Sequence, residues 1–469
     1  MLEIPFRHFT RYSEIISVFI RHGLGYWIME QIPLPLPGFG RPMHHYSEAD
    51  LARIGSRLRE ALTELGPTFI KMGQLASNRS DLFPQPIIRE LTKLQDRIRP
   101  LSFEEVRQVI ENSLQQRIDA IFQEFDPVPL AAASIGQVHR AILNNGEKVA
   151  VKVQRPHIRK VAEIDLEIFK TLVVQFEQRT EWGKRYPIRT ILDEFSKTLL
   201  EELNFTNEGH NTEKLAQFNK QGVFIIPKVY WEFSNATVLT LEFISGISLY
   251  QIIEAKNSAS PYVEFDLSMI AKQLSQGLLQ QILVDGYFHG DPHPGNILIL
   301  PEGKIALIDF GILGTITDSI RYQLTNLIDA LIHGKDVRLL EVISQMGIVP
   351  ESMDRAQFLE DILVLRSKHL LKSRGKKGII EAVQDFFNII NRHGIYIPSE
   401  FVLIGKSLLT LDGILYQLDP DLSLVELVRP YSRKLLWEKY SPKHFLARIL
   451  RSSKPHPSQA SHNPCSFRI

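Results

Sequence analysis

One cysteine, Cys465, stands in the whole of this 469-residue sequence. An internal disulfide is therefore excluded, and a reducing, cytoplasmic compartment fits. Charge of one sign is also lacking: 54 Lys and Arg balance 53 Asp and Glu, so no basic footprint argues for nucleic acid as a partner. No uninterrupted apolar run approaches the roughly 18–20 residues of a membrane span. Glu3, Arg7 and Arg11 interrupt the apolar N-terminus where a secretory signal would be continuous. No internal repeat stands out. The length exceeds the ~250–300 residues at which a single core stops growing, so two or more cores are expected.

What is present is concentrated. The run His289-Gly290-Asp291-Pro292-His293-Pro294-Gly295-Asn296 is followed, thirteen residues after Asn296, by Asp309-Phe310-Gly311. One acid, one amide and a second acid at such spacings suit phosphoryl transfer, where catalysis is mostly positioning plus electrostatic stabilisation by magnesium and cations. Asp291 would orient or deprotonate the attacking hydroxyl or water; Asn296 and Asp309 would hold magnesium on the nucleotide phosphates. Between them, Ile297–Leu300 and Lys304–Ile308 predict a β-hairpin around Gly303 that brings Asn296 and Asp309 to one end. A metal site at His289 and His293 is the competing reading of the first motif; beside the second motif the two histidines become supports of the loop.

Phosphoryl transfer needs a further cation on the α/β-phosphates, and Val149-Ala150-Val151-Lys152-Val153 supplies Lys152 on an apolar strand. That strand follows Val138–Leu143 across Asn144-Asn145-Gly146-Glu147, a hairpin turn signal. Missing is the glycine-rich loop that ordinarily precedes such a lysine. Ala131, Ala132, Ala133 and Ser134 stand there instead, ahead of Ile135-Gly136-Gln137. Their backbone N–H groups can still face phosphate, but the alanine Cβ atoms restrict φ and limit how closely a nucleotide is approached.

With these residues the chain resembles the UbiB/ABC1/ADCK family of atypical kinases, which has a protein-kinase-like fold and an alanine-rich loop. The family's Lys-x-Gly-Gln signature stands here as Lys71-Met72-Gly73-Gln74, and Leu94-Gln95-Asp96 also matches, so the resemblance covers roughly residues 50–420. From the residues alone, Lys71 and Gln74 share one helical face. The resemblance implies an α+β, two-lobe fold with a helical N-terminal extension, with ATP and Mg2+ as cofactors. It assigns Glu208 as the partner of Lys152, and Glu202 to a Glu-x-Asp motif that meets the Lys-x-Gly-Gln helix. The motif here reads Glu202-Leu203-Asn204, an amide in place of the second acid. In an uninterrupted helix from Ile191 to Asn211, Glu202 and Glu208 would point to different faces. The strand Thr237–Glu242 leading into Phe243-Ile244-Ser245-Gly246 matches the hinge between lobes, where backbone groups of Glu242 to Ile244 would meet the adenine.

Residues 1–115 are read as the helical extension with a linker at Pro33–Gly38, 116–245 as the small sheet lobe, 246–440 as the helical lobe, and 441–469 as a partly disordered tail. The apolar residues between Tyr12 and Met29, and those in 434–437 and 445–451, suit either packing on the protein itself or an interfacial helix. The resemblance implies work on or near membranes that carry isoprenoid quinones, with quinone-biosynthesis proteins as partners. The leading expectation is an ATP- and magnesium-dependent phosphotransferase or ATPase of UbiB type, cytoplasmic or peripheral at the membrane. The alternatives are a small-molecule kinase of the aminoglycoside/choline type and a nucleotide-binding scaffold without turnover.

Overall fold

The computed structural model describes residues 9–24, 47–79, 82–94, 99–179, 188–258, 265–333, 336–350, 353–371 and 378–422, together with Leu424, Leu427, Val428 and Tyr431. The Pro33–Gly38 linker, Gln95 and Asp96, the apolar segments 434–437 and 445–451 and the tail lie outside the described residues.

The extension contributes α1 (Phe9–Arg21), α2 (Glu48–Leu65), α3 (Pro67–Ser77) and α4 (Gln85–Leu91). Ser47 and Asp50 close a capping box at the start of α2. Gly66, at φ 97°, turns the chain, and Pro67 opens α3 at a position where no N–H is needed. Ile15, Val18, Leu62, Phe69, Ile87 and Leu91 meet in one core. The apolar side of α1 is thus packed on its own protein, while Phe9 and Ile20 stay exposed.

The next elements are α5 (Phe103–Leu114), α6 (Ile118–Ile121), β1 (Phe122–Phe125), β2 (Ala131–Ala132), β3 (Gly136–Leu143), β4 (Lys148–Gln154), α7 (Ile158–Arg179), α8 (Ile188–Glu202), α9 (Phe205–Phe218), β5 (Phe224–Ile225) and β6 (Val238–Glu242). The strands β1-β3-β4-β6 form an antiparallel sheet with β2 paired on β3. The β3–β4 turn is the expected one, with Gly146 at φ 85°. Period-two alternation in β4 buries Val149, Val151 and Val153 against Val106 and Ile110 of α5. Ala150 and Lys152 therefore face the other side. There Leu239 and Leu241 of β6 pack with Met72 and Leu75 of α3 and Phe205 of α9.

One expectation is corrected. The stretch from Ile191 to Asn211 is not a single helix: α8 ends at Glu202 and α9 begins at Phe205, with Asn204 extended between them (φ −123°, ψ 96°). The Asn204 side chain accepts from the Thr206 N–H and caps α9, a use that favours a break over continuation.

The second lobe is built from β7 (Ile247–Ser248), α10 (Leu249–Asn257), α11 (Leu267–Gln280), β8 (Tyr287–His289), β9 (Ile297–Ile299), β10 (Ile305–Leu307), β11 (Leu313–Thr315), α12 (Asp318–His333), α13 (Asp336–Met346), α14 (Arg355–Arg366), α15 (Gly378–Arg392) and α16 (Ser399–Leu418). The predicted hairpin is β9–β10, with Ile299 opposite Ile305 and Gly303 at φ 75°. Helix α16 is long and apolar enough to cross a membrane by length and composition (mean hydropathy 1.3), yet half of it is buried inside the fold. Its Ile404, Leu411, Ile414 and Leu415 join Leu274, Leu278, Ile297 and Phe310 in the lobe's main core. Apolarity here serves packing between helices and the hairpin.

Candidate active site

Lys152 and Glu208 meet as expected. Lys152 Nζ lies 2.8 and 2.6 Å from the two Glu208 oxygens and 5.2 Å from the centre of the Phe205 ring. Glu208 sits in the first turn of α9, where a carboxylate suits the helix dipole. Burial works against the Lys152 charge, but Glu208 and Asp309 outweigh it, so the ammonium persists well above the ordinary lysine range.

The Lys-x-Gly-Gln helix reaches the same cleft. Lys71 Nζ stands 2.6 Å from Glu202 Oε2, and Gln74 Nε2 donates to the Leu94 carbonyl at 3.2 Å. A Cβ on Gly73 would fall 2.3 Å from a Leu94 methyl and 2.7 Å from one of Leu62. Only glycine lets α3 lie this close to its neighbours. The fields of Lys71 and Glu202 bear on Asp309 and Lys152 respectively, so two cations, Lys71 and Lys152, stand among three acids, Glu202, Glu208 and Asp309.

The loop from His289 to Asn296 is held by the hairpin. Asn296 Nδ2 donates to the Asp291 carbonyl at 3.3 Å, and the Ile308 N–H donates to the Asn296 carbonyl at 3.1 Å. His289 Nδ1 accepts from the Asp291 N–H at 3.1 Å, and His293 Nδ1 accepts from the Gly295 N–H at 2.9 Å. Both rings thereby brace the loop. Burial holds the His289 imidazole below its ordinary range, hence neutral with its proton on Nε2. Burial also pushes the Asp309 carboxyl upward; Lys152, the Gly311 N–H at 2.9 Å and Lys71 outweigh it and keep the group ionised.

These residues fit magnesium. Asn296 commits its amide nitrogen to the Asp291 carbonyl and keeps Oδ1 as an acceptor, and Asp309 Oδ1 accepts from the Gly311 N–H. Two hard oxygen donors are what an ion bound mostly through nucleotide phosphates and water requires. Among the described residues no group of three or more His, Cys, Asp or Glu could hold a metal by itself.

The alanine loop is a tight β2–β3 connection. Ala131 pairs with Val138 and Ala132 with Gln137, the Ala133 N–H donates to the Gly136 carbonyl at 2.8 Å, and Ser134 is buried. Arg155 Nε donates to the Ala133 carbonyl at 3.1 Å. At the hinge, the Glu242 and Phe243 N–H groups donate to the Lys228 and Lys148 carbonyls. Glu242 is exposed and Ile244 half-buried at the lobe junction.

Sequence reasoning passed over three residues. Lys406 of α16 places its Nζ 2.9 Å from Asp291 Oδ1; its signal was to be the one charge in the apolar stretch Phe401–Leu411. Asn211 Nδ2 donates to the Phe310 carbonyl at 3.0 Å. Arg79, just past α3, pairs with Glu194 of α8 at 3.0 Å, donates to the Ile397 carbonyl and lies over the Tyr396 ring, whose hydroxyl also bonds Glu194. The extension, α8 and the second lobe are joined there. Beside this junction lies a cavity of about 690 Å3, lined by Leu75 and Arg79, by Ile312 just after the Asp-Phe-Gly motif and by Leu403 of α16.

Comparison with known proteins follows the same lines. The ABC1 atypical kinase-like domain model matches residues 93–343 and the UbiB helical domain model residues 378–423. The Arabidopsis thaliana chloroplastic protein ACTIVITY OF BC1 COMPLEX KINASE 7 is 37% identical over 81% of this chain and 54% of its own length, so the chain spans little more than half of that relative. "Probable protein kinase UbiB" of Cellvibrio japonicus is 30% identical over 94% of this chain and 80% of its own. Among solved structures, the complex of Rv3197 with erythromycin from Mycobacterium tuberculosis gives a TM-score of 0.51 at 22% identity, covering 68% of this chain and 80% of that one, a likeness of fold.

Proposed function

The chain belongs to the ABC1/UbiB family of atypical kinases, with the kinase-like α+β fold and the helical extension of that family, and from that premise we propose that it is an ATP- and magnesium-dependent phosphotransferase or ATPase supporting isoprenoid quinone or lipid metabolism. The observation that carries the reading is the convergence of the Lys152–Glu208 pair, ionised Asp309, Asn296 and Asp291 on one cleft.

Each residue has a task there. Lys152, held by Glu208, neutralises the α/β-phosphates; Asn296 and Asp309 hold magnesium, which supplies charge neutralisation on the phosphates when bound. The Asp291 carboxylate orients the attacking hydroxyl or water and accepts its proton. Ala131 to Ser134 cover the phosphates, and the backbone around Ile244 meets the adenine. Leu75 of α3 and Arg79 just past it line one cavity with Gly311 to Thr315, the segment that begins at the Asp-Phe-Gly glycine. An extension packed beside that segment supports water or a small molecule over a protein substrate. A peripheral membrane contact through α1 is supported by Phe9 and Ile20, exposed on one face three turns apart.

The test is magnesium-dependent ATP hydrolysis by the purified chain, with and without anionic liposomes or a quinone-precursor phenol, beside Asp291→Asn and Asp309→Asn. Turnover that both substitutions abolish is the expected result. Nucleotide binding with no turnover above the mutants under any condition would instead favour a scaffold that organises protein partners.

A further inference from the structure

The transferred phosphoryl group lies, in the reading above, between Asp291 and the nucleotide. A carboxylate facing an anionic phosphoryl group repels it unless a cation stands between them, and the charge developed in transfer is spread over the equatorial oxygens. Lys152 serves the inner phosphates, and Asn296 with Asp309 serves the magnesium side. The Asp291 side needs its own cation.

The loop does not provide one. His293, two residues beyond Asp291, is exposed and spends Nδ1 on the Gly295 N–H at 2.9 Å. The cation comes from α16, where Lys406 Nζ lies 2.9 Å from Asp291 Oδ1, with the lysine side chain 23% exposed and that of the aspartate 36%. An exposed pair of this kind ordinarily contributes little. This one is built into the register between helix and loop. Ser407 Oγ donates to the Gly290 carbonyl at 3.2 Å, and a Cβ on Gly290 would fall 2.7 Å from Ile312 and 3.1 Å from Leu403. The backbone on either side of the pair is fixed, and the one charge within Phe401–Leu411 is aimed at the one acid of the loop.

We propose that Lys406 is the cation that contacts the transferred phosphoryl group, doing from α16 what the catalytic loop lacks a residue to do. The proposal rests on the nucleotide reading of the cleft. It is tested by titrating the full chain with ATP and with ADP, both with magnesium, for the wild type, Lys406→Met and Lys406→Arg. Losing a charge-assisted hydrogen bond to the terminal phosphate weakens ATP binding about ten- to a hundredfold, with ADP affinity unchanged and Lys406→Arg restoring most of the loss. An ATP-to-ADP affinity ratio that Lys406→Met leaves at the wild-type value overturns the proposal, even where turnover falls, because the lysine then only braces Asp291. A wild type that binds neither nucleotide overturns the reading beneath it instead. Should Lys406→Met not fold, Lys406→Gln is read in its place and the same ratio decides.

Discussion

Asn211 Nδ2 donates a 3.0 Å hydrogen bond to the carbonyl of Phe310, so the helix that carries Glu208 and the loop that carries Asp309 move together. Asn211→Ala removes a bond worth about 1 kcal/mol and uncouples the two acids around Lys152. A drop of that size in unfolding free energy is expected, with a several-fold loss of nucleotide affinity. Calorimetric titration of the variant checks it; unchanged affinity would mean that the loop holds its place without α9.

Asn204 stands where the family's second acid is expected and caps α9 instead. Asn204→Ala should cost about 1 kcal/mol, within the usual 0.5–2 of a lost cap. Asn204→Asp keeps the cap and adds a charge that the helix N-terminus favours by roughly 0.3–1 kcal/mol. Urea unfolding of both variants is the measurement, and an alanine variant as stable as the wild type would refute the capping role.

The pair Lys71–Glu202 is buried on the glutamate side, and Glu202 Oε1 has no hydrogen-bond partner among the described residues. Lys71→Met strands that carboxylate, at a cost of about 3 kcal/mol or somewhat more. The double variant Lys71→Met with Glu202→Leu should recover most of it. Strict additivity in the double-mutant cycle would show the pair to be energetically idle.

His139 is buried in the sheet, with Nδ1 2.8 Å from the Asp126 carbonyl and Nε2 2.8 Å from Gln137 Nε2. The first contact fixes a proton on Nδ1, and the second uses Nε2 as acceptor. Burial holds the folded-state pKa below the ordinary value. The unfolded chain, with a pKa near about 6.5, then binds the proton first. The contribution is fully present above that pH and is lost as pH falls toward the folded value. Urea midpoints between pH 7 and 5 should decline more steeply for the wild type than for His139→Asn; parallel slopes would exclude the mechanism.

How far the site was legible followed from sequence separation. Asp291, Asn296 and Asp309 lie on one loop and one hairpin, where spacing along the chain is spacing in space. Lys152 could be placed by the period of its strand and the turn before it. Its partner needed the resemblance, because several glutamates share the following helices and no periodicity singles out Glu208. Lys406 and Asn211 reach the site by tertiary packing of α16 and α9, which leaves only faint marks in sequence. The single-helix reading of 191–211 failed because Asn204 was weighed as a substitute acid, when an asparagine between two apolar-periodic runs is also a cap.

The junction of Arg79 with Glu194 and Tyr396 adds a clasp of side chains between the lobes, beside the covalent connection after β6, the pairing of β5 with β10 and the Asn211–Phe310 bond. A wide opening of the cleft has to part Tyr396 from Glu194 and Arg79 from the Ile397 carbonyl, which leaves a buried guanidinium to find water. The helical extension sets the width of the door as well as standing in front of it.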